Sequence, residues 1–198
     1  MKDFVDFLLK RVYKSIPIPF TIINKAFANT VKDVKYHFSE IEDSNIKTSI
    51  QNNSNELAIF LYRLGRELHI NGMHDRKPQI HWLLKELCSC EIYFNNSIDE
   101  GFYVVHGEGT VIGSRNKIGK GFVIHQGCTI GHRKNGEGKG NVIRNNVVMY
   151  ANSSIIGEIN VGENTIIGAH VLLSRSLQIN TIVTQKGELN MRPIKNKI

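Results

Sequence analysis

An apolar residue recurs at every sixth position along two blocks in the second half of the chain. The first block contains Ile112, Ile118, Ile124 and Ile130, and the second contains Ile143, Met149, Ile155, Val161, Ile167, Leu173 and Ile179. This period fits neither an α-helix, which repeats about every 3.6 residues, nor an isolated strand, which repeats about every 2. It is typical of a parallel β-helix, a solenoid in which each hexapeptide contributes one short strand and one residue on the axis.

The positions two residues before these anchors support the same fold, because they are mostly small or apolar: Asn116, Phe122, Cys128, Val147, Ser153, Ile159, Thr165 and Val171. We expect Cys128 to fill the core rather than to act as a nucleophile. The break between the two blocks, residues 131–142, is polar and rich in glycine. It predicts a loop expelled from the solenoid, and such loops often carry function.

Residues 1–87 lack this rhythm and predict an N-terminal helical domain, which the β-helix domain and its C-terminal tail follow over residues 88–198. Apolar residues recur at spacings of three and four from Leu57 to Leu68, as in an amphipathic helix. Ser54 or Asn55 is the expected cap of that helix. A shorter helix is predicted after Pro78, and the polar segment Asn45–Asn55 is interpreted as a loop.

Composition favours a cytoplasmic protein. No apolar run reaches the length of about 18 residues that a membrane-spanning helix needs. The segment Met1–Phe20 mixes basic and apolar residues without a small-residue cleavage site, so we interpret it as a packing helix, with peripheral membrane association as the alternative. Three cysteines, an odd number, are expected to be reduced thiols.

The net charge of +7 is concentrated around the predicted loop. Between Ser114 and Arg144 there are seven basic residues and one acidic residue, Glu137. Such a patch attracts anions. Because aromatic residues do not alternate with the basic ones outside the predicted core, we expect phosphates on a small ligand rather than nucleic acid.

Histidine and glycine spacing carries a family resemblance. His106-x-x-Gly109-x-Val111-x-Gly113 is followed by Ile118-Gly119 and Thr129-Ile130-Gly131, and Ile156-Gly157-x-Ile159-x-Val161-Gly162 and Ile167-Gly168-Ala169 continue the pattern. Over residues 91–175 these motifs resemble the serine O-acetyltransferase branch of the hexapeptide acyltransferases, which includes enzymes that acetylate polysaccharides or sugar precursors. The resemblance implies a mainly β fold, namely a left-handed parallel β-helix with an N-terminal α-helical domain. It also implies acetyl-CoA as co-substrate, no metal, and a homotrimer or hexamer.

The resemblance assigns His106 to the position of the catalytic base, which takes a proton from an acceptor hydroxyl as that hydroxyl attacks the thioester. Histidine suits this role because its pKa lies near neutral pH. His106 also stands six residues before Ile112, where the hexapeptide rhythm predicts an apolar residue, and a broken local rule often marks function. Glu91 matches the family's carboxylate, usually Asp, that orients the base.

By the same resemblance, coenzyme A lies in a groove between two solenoids. Its pantetheine is expected near Gly131, Ala151, Gly157 and Ala169, because small residues permit close approach. Lys186 and Arg192 are expected to meet its phosphates.

Departures from the family pattern concern the acceptor. Val105 stands where serine enzymes place an Asp, and Lys139 and Gly140 stand where they place an Arg and a His. An amino acid needs charged partners at both ends, whereas a sugar hydroxyl does not. The predicted acceptor is therefore a carbohydrate, bound near Val105, His125 and Lys139. The alternatives are a serine acetyltransferase of cysteine biosynthesis and a non-catalytic or metal-binding solenoid.

Overall fold

The computed structural model describes residues 1–134 and 137–186. Helices occupy the chain as far as Cys88, and short parallel strands begin at Glu91. Arg192 and Ile198, two residues of the C-terminal tail, lie outside the described residues.

Five α-helices and one 3-10 helix make up the helical region: α1 (Lys2–Leu9), α2 (Phe20–His37), α3 (Asp43–Asn52), α4 (Ser54–Ile70), the 3-10 helix His74–Arg76, and α5 (Lys77–Cys88). Helix α4 lies at the centre, because its side chains from Leu57 to Leu64 are all buried. Helix α1 packs against the protein through Val5, Leu8 and Leu9, as expected of a packing helix. None of the helices in the described part of the chain is long and apolar enough to cross a membrane.

The predicted loop Asn45–Asn55 is wrong, because most of it forms α3. Ile46 and Ile50 are one helical turn apart and both are fully buried, so two apolar contacts stabilise a helix that is otherwise polar. The predicted cap of α4 is displaced by a residue or two. Asn53 is the cap, and its side-chain oxygen accepts a hydrogen bond from the backbone N–H of Asn55.

In the described part of the solenoid there are fourteen short strands: β1 (Glu91–Ile92), β2 (Ser97–Ile98), β3 (Tyr103–Val104), β4 (Val111–Ile112), β5 (Lys117–Ile118), β6 (Val123–Ile124), β7 (Thr129–Gly131), β8 (Val142–Ile143), β9 (Val148–Met149), β10 (Ser154–Ile156), β11 (Asn160–Val161), β12 (Ile166–Ile167), β13 (Leu172–Leu173) and β14 (Ile182–Val183). They assemble into three parallel sheets. The first is β1-β4-β7-β10-β13, the second β2-β5-β8-β11 and the third β3-β6-β9-β12-β14.

Hexapeptide anchors lie on the axis of the solenoid as predicted. Ten of the eleven, from Ile112 to Leu173, are buried, and so are all the small or apolar residues two positions before them, including Cys128. In a regular coil, paired anchors are 18 positions apart, as for Ile112 with Ile130 and Ile155 with Leu173. Across the predicted loop the spacing rises to 25, as for Ile118 with Ile143. The coil therefore expels seven extra residues.

The eleventh anchor, Ile179, is wrong. Its side chain is 63% exposed. Leu177 instead bridges to Val161, and Val183 pairs with Ile167. Both spacings are 16 rather than 18. The last coil has two residues fewer, so the hexapeptide frame shifts there.

The predicted position of His106 on the hexapeptide frame is also wrong. The residue that pairs with Ile124 is Val104, which is buried. The first coil contains 20 residues rather than 18, since Ile92 pairs with Ile112. The two extra residues enlarge the turn between β3 and β4, and His106 lies exposed in that turn.

A buried ion pair joins the two regions. The guanidinium group of Arg63 in α4 donates to both carboxylate oxygens of Asp33 in α2, at 2.6 and 2.7 Å, and to the backbone oxygens of Ile98 and Asp99. Asp33 also accepts from the backbone N–H groups of Gly101 and Phe102. The pair thus fixes the helices to the first coil.

Candidate active site

Turns between the sheets stack into edges of the solenoid, and two of these edges hold the predicted site residues. The turns from the third sheet to the first, residues 105–110, 125–128, 150–153, 168–171 and the segment 184–186 after β14, form what we call the histidine edge. The turns from the first sheet to the second form the loop edge. They comprise residues 93–96, 113–116, 132–134, 137–141, 157–159 and 174–176, together with Gly131 at the end of β7.

His106 and His125 are neighbours on the histidine edge. The ring of His125 stacks on that of Tyr150 in the next coil, with 4.8 Å between centroids. Burial lowers the pKa of His125, and the charge of nearby His106 lowers it further. His106 is exposed and makes no hydrogen bond to any described residue, so its ring nitrogens are open to a ligand. The hexapeptide pattern does not predict Tyr150, because only the residues on the axis of the solenoid follow the six-residue period.

Glu91 does not bond to His106 in this chain. Its Oε1 lies 3.1 Å from His81 Nε2, and its Oε2 accepts from Lys85 Nζ, also at 3.1 Å. Although burial opposes the shift, the hydrogen bond and charge of Lys85, with a contribution from His81, hold the pKa of Glu91 below its usual value. Glu91 therefore ties α5 to the start of the solenoid.

Val105 precedes His106 and is half-buried. Its backbone oxygen accepts a hydrogen bond of 2.7 Å from the side-chain amide of Asn55, in the first turn of α4. The helical region thus reaches the turn that carries His106. The hexapeptide pattern did not predict this contact, since helix placement depends on packing between distant segments.

Small residues predicted to meet coenzyme A form two stacks. Gly131 and Gly157 lie on the loop edge, where the N–H of Gly157 donates to the oxygen of Gly131 at 3.1 Å. Ala151 and Ala169 occupy corresponding turns of the histidine edge, 18 positions apart, and the oxygen of Ala151 accepts from the N–H of His170. Neither alanine is buried. A single chain therefore places the two stacks on different edges.

The loop edge contains a polar cavity of about 560 Å³ beside Gly157. Its wall includes Arg133, Lys134 and Arg175, with Glu137 and Glu158 as the acidic groups. His132 lines it too, and its Nδ1 is buried without a partner among the described residues. This basic cavity suits a phosphate group. Lys139 and Lys186 are exposed on the loop edge and histidine edge respectively.

A larger cavity, about 910 Å³, lies elsewhere. It is lined by the helical region and the first turn of the solenoid: His69, His74, Lys77, Pro78, His81, Trp82, Lys85, Glu86, Tyr93, Phe94 and Asn95. It touches the predicted site only through His81 and Lys85, the partners of Glu91. Within the described ranges no three His, Cys, Asp or Glu side chains cluster as metal ligands.

Known proteins resemble this chain over both regions. Serine acetyltransferase of Helicobacter pylori is 31% identical over 121 residues, which cover 61% of this chain and 71% of the relative. That of Synechococcus elongatus is 34% identical over 125 residues, but the match spans only half of its length. No protein-family model matches.

Solved structures show the same architecture. Neisseria gonorrhoeae serine acetyltransferase in complex with serine aligns with a TM-score of 0.71 at 20% identity, over 93% of this chain and 72% of that one. Entamoeba histolytica serine acetyltransferase isoform 3 in complex with cysteine gives 0.69 at 20% identity, over 87% of this chain and 62% of that one. The predicted left-handed β-helix with N-terminal helices is confirmed.

This chain belongs to the serine acetyltransferase family. Membership confirms the predicted class of enzyme, an O-acetyltransferase that uses acetyl-CoA.

The predicted carbohydrate acceptor, and with it a role in polysaccharide biosynthesis, is wrong for a member of the serine acetyltransferase family. The curated relatives and the solved structures are serine acetyltransferases. The error came from treating Val105 and Gly140 as losses that no other residue replaces. The fold brings the side chain of Asn55, in the distant helix α4, to the turn of Val105, and the two positions compared in the sequence do not reveal this contact.

Proposed function

We propose that this chain is an acetyl-CoA-dependent serine O-acetyltransferase in which His106 is the general base. The observation that carries the proposal is the position of His106. It is exposed on the histidine edge, beside His125 and in line with Ala151 and Ala169, in a chain whose relatives are serine acetyltransferases.

The chemistry needs little more than a positioned base. Neutral His106 removes the proton of the serine hydroxyl as the oxygen attacks the thioester carbonyl carbon. The carbon–sulfur bond then breaks, and the proton passes to the departing coenzyme A thiolate. Burial, and after it the charge that His106 carries when protonated, lower the pKa of His125, which favours the neutral form of this second histidine.

The separation of the two edges supports a site between two chains. A face of the solenoid stands between the Gly131–Gly157 stack and the Ala151–Ala169 stack. One coenzyme A molecule contacts both only if the histidine edge of one chain meets the loop edge of another. The basic cavity beside Gly157 would then receive its phosphates.

The outer face of the third sheet is suited to such an assembly. Its outward residues form an apolar column in register: Tyr103, Val123, Val148, Ile166 and Ile182. The corresponding residues of the second sheet, Ser97, Lys117, Val142 and Asn160, are mostly polar. Contiguous exposed apolar surface marks an interaction site. We infer a homotrimer in which the third sheet of each chain packs against the next chain, with a hexamer built from two such trimers as the alternative.

Glu91 keeps its predicted role only as a proposal. To orient His106 it must leave His81 and Lys85. A Glu91→Gln variant decides between the two roles: a fall in kcat with unchanged KM values supports orientation of the base, whereas a change in stability alone supports an anchor for α5.

The buried, unpaired thiols of Cys88, Cys90 and Cys128 fit a reducing compartment. Burial raises the pKa of Cys90 to about 12, which makes this thiol unreactive. We therefore propose a cytoplasmic location.

The change from helices to strands after Cys88 supports our separate proposal that the chain divides into domains 1–87 and 88–198.

The test is release of the coenzyme A thiol from acetyl-CoA by the full chain, with L-serine, free sugars and nucleotide sugars offered separately. We expect turnover with L-serine and formation of O-acetylserine. Turnover of a saccharide without turnover of serine would contradict the proposal, and no turnover of any acceptor would favour a solenoid without this activity.

A further inference from the structure

Glu56, in the first turn of α4, has a carboxylate oxygen with no partner. Its Oε2 is buried and accepts no hydrogen bond from any described residue. Burial also raises the pKa of this carboxyl group above its usual value. Most buried polar atoms in native proteins are hydrogen-bonded, because an unpaired one costs free energy. An unpaired carboxylate oxygen suggests a missing cationic or hydrogen-donating ligand.

Glu56 belongs to the turn of α4 that contacts the proposed catalytic turn. The neighbouring side chain, Asn55, donates to the backbone oxygen of Val105, the residue before His106. The pKa of Tyr103 is raised first by burial and then by the negative charge of Glu56. Tyr103 and Val105 flank Val104 on the segment that leads to His106. Glu56 therefore approaches this segment from the helical side.

Stabilisation of α4 does not account for the unpaired oxygen. An acidic residue in the first turn of a helix does interact favourably with the helix dipole, but an exposed carboxylate serves that purpose equally well. The start of α4 already has a cap, since Asn53 accepts from the N–H of Asn55. Glu56 Oε2 is not part of that cap.

We propose that Glu56 binds the ammonium group of the amino-acid acceptor, an assignment that rests on the proposed function. An ammonium group offers three donors and forms strong, charge-assisted hydrogen bonds with a carboxylate. Val105 cannot make such a bond. A second buried oxygen without a partner among the described residues, Gln126 Oε1, belongs to the next turn of the same histidine edge. The helical region thus supplies an acid that the solenoid lacks.

The test compares two acceptors that differ only in the amine. L-serine carries an ammonium group, and glycerate has a hydroxyl in its place. In the wild-type chain we expect kcat/KM to favour L-serine. In Glu56→Gln we expect kcat/KM for L-serine to fall about 10- to 100-fold, through KM, because a hydrogen bond between two charged groups is lost. Turnover of glycerate and the KM for acetyl-CoA should change little.

Two further variants make the result specific. Glu163→Gln removes an exposed acid between the second and third sheets and should leave both acceptors unaffected. Glu56→Asp keeps the charge but shortens the side chain, so it should recover part of the preference for L-serine, and it serves as the test if Glu56→Gln does not fold.

The outcomes separate the two proposals. Wild-type turnover of L-serine with an unchanged ratio of serine to glycerate in Glu56→Gln overturns the role of Glu56 alone. An equal loss on both acceptors also overturns it, since that result indicates a structural role. If the wild-type chain does not acetylate L-serine, the proposed function fails and the ammonium site fails with it.

Discussion

The helical region and the solenoid bury their cores in different ways. Each coil of the solenoid adds the same three anchors above those of the coil before it, so its core depends on neighbouring coils. The helical region buries α4 among α2, α3 and α5, which contribute residues from widely separated positions. A repeating core can therefore be recognised from residue spacing, whereas a non-repeating core depends on contacts that spacing does not reveal.

Polar groups follow the same division. Inside the solenoid, Asn96, Asn116 and Asn141 form a ladder. The side-chain oxygens of Asn96 and Asn116 accept from the backbone N–H of the next asparagine, and that of Asn141 accepts from the N–H of Ile159. The Arg63–Asp33 pair instead joins two helices to a coil more than 30 residues away. One network is local and repeated, and the other is single and long-range.

The largest effect is expected on catalytic activity, because the proposed base lies in the solenoid and not in the helical region. His106→Ala should reduce kcat by about 10²- to 10⁴-fold, because it removes the general base. Its thermal stability should match the wild type, since His106 is exposed. Steady-state kinetics and thermal melting measure both quantities. His74→Ala, an exposed histidine of the helical region, is the control and should keep full activity, whereas wild-type turnover in His106→Ala would place the base elsewhere.

The second effect breaks the junction between the two regions. Arg63→Ala should cost about 3–5 kcal/mol, because it leaves Asp33 buried without its partner. Lys120→Ala, which removes the exposed pair with Glu100 on the neighbouring coil, should have a clearly smaller effect, because solvent screens an exposed ion pair. Urea unfolding measures both. Trp82, the single tryptophan, reports on unfolding of the helical region by its fluorescence. If the two substitutions lowered the free energy of unfolding equally, the Arg63–Asp33 ion pair would not join the regions.

The third effect tests the repeated network. Asn116→Ala should lower the free energy of unfolding by about 1–3 kcal/mol, because the buried N–H of Asn141 loses its acceptor. Asn164→Gly is the control. Its side chain belongs to an exposed ladder, and its φ of +54° suits glycine, so its loss should be clearly smaller. A smaller loss in Asn116→Ala than in Asn164→Gly would contradict an internal role for the first ladder.

The smallest effect concerns Glu91 at the boundary between the regions. Its pKa is lower in the folded chain than the ordinary value of 4.5, so its ionised form stabilises the fold above that pH. This contribution is lost as the pH falls through 4.5 towards the folded pKa. Glu91→Gln should therefore be less stable than the wild type at neutral pH by at most about 1 kcal/mol, and the two curves should converge in acid. A constant difference at all pH values would exclude this titration.

For the candidate site, residue spacing predicts the edge of the solenoid on which a residue lies, and the roles of the site residues stay predictions. The motif around His106 predicted a candidate base, and Ala151 and Ala169 fall on the edge that carries it. Asn55 and Glu56 gave no signal, because they belong to a helix that approaches the turn from 50 positions earlier in the chain. The acceptor was predicted wrongly for the same reason. The changes at Val105 and Gly140 can be read from the sequence, whereas the approach of α4 to the turn of His106 cannot.

Residue spacing alone predicts the solenoid, its axis residues and the expelled loop, because every coil repeats one local environment and therefore one pattern. The positions at which that pattern changes phase follow only from how the strands pair in three dimensions. The first coil has two extra residues after Val104, and the last coil lacks two before Leu177. These changes in coil length place His106 off the axis and Ile179 on the surface. Three-dimensional packing also brings α4 to the turn of His106, because buried contacts between distant segments select that arrangement.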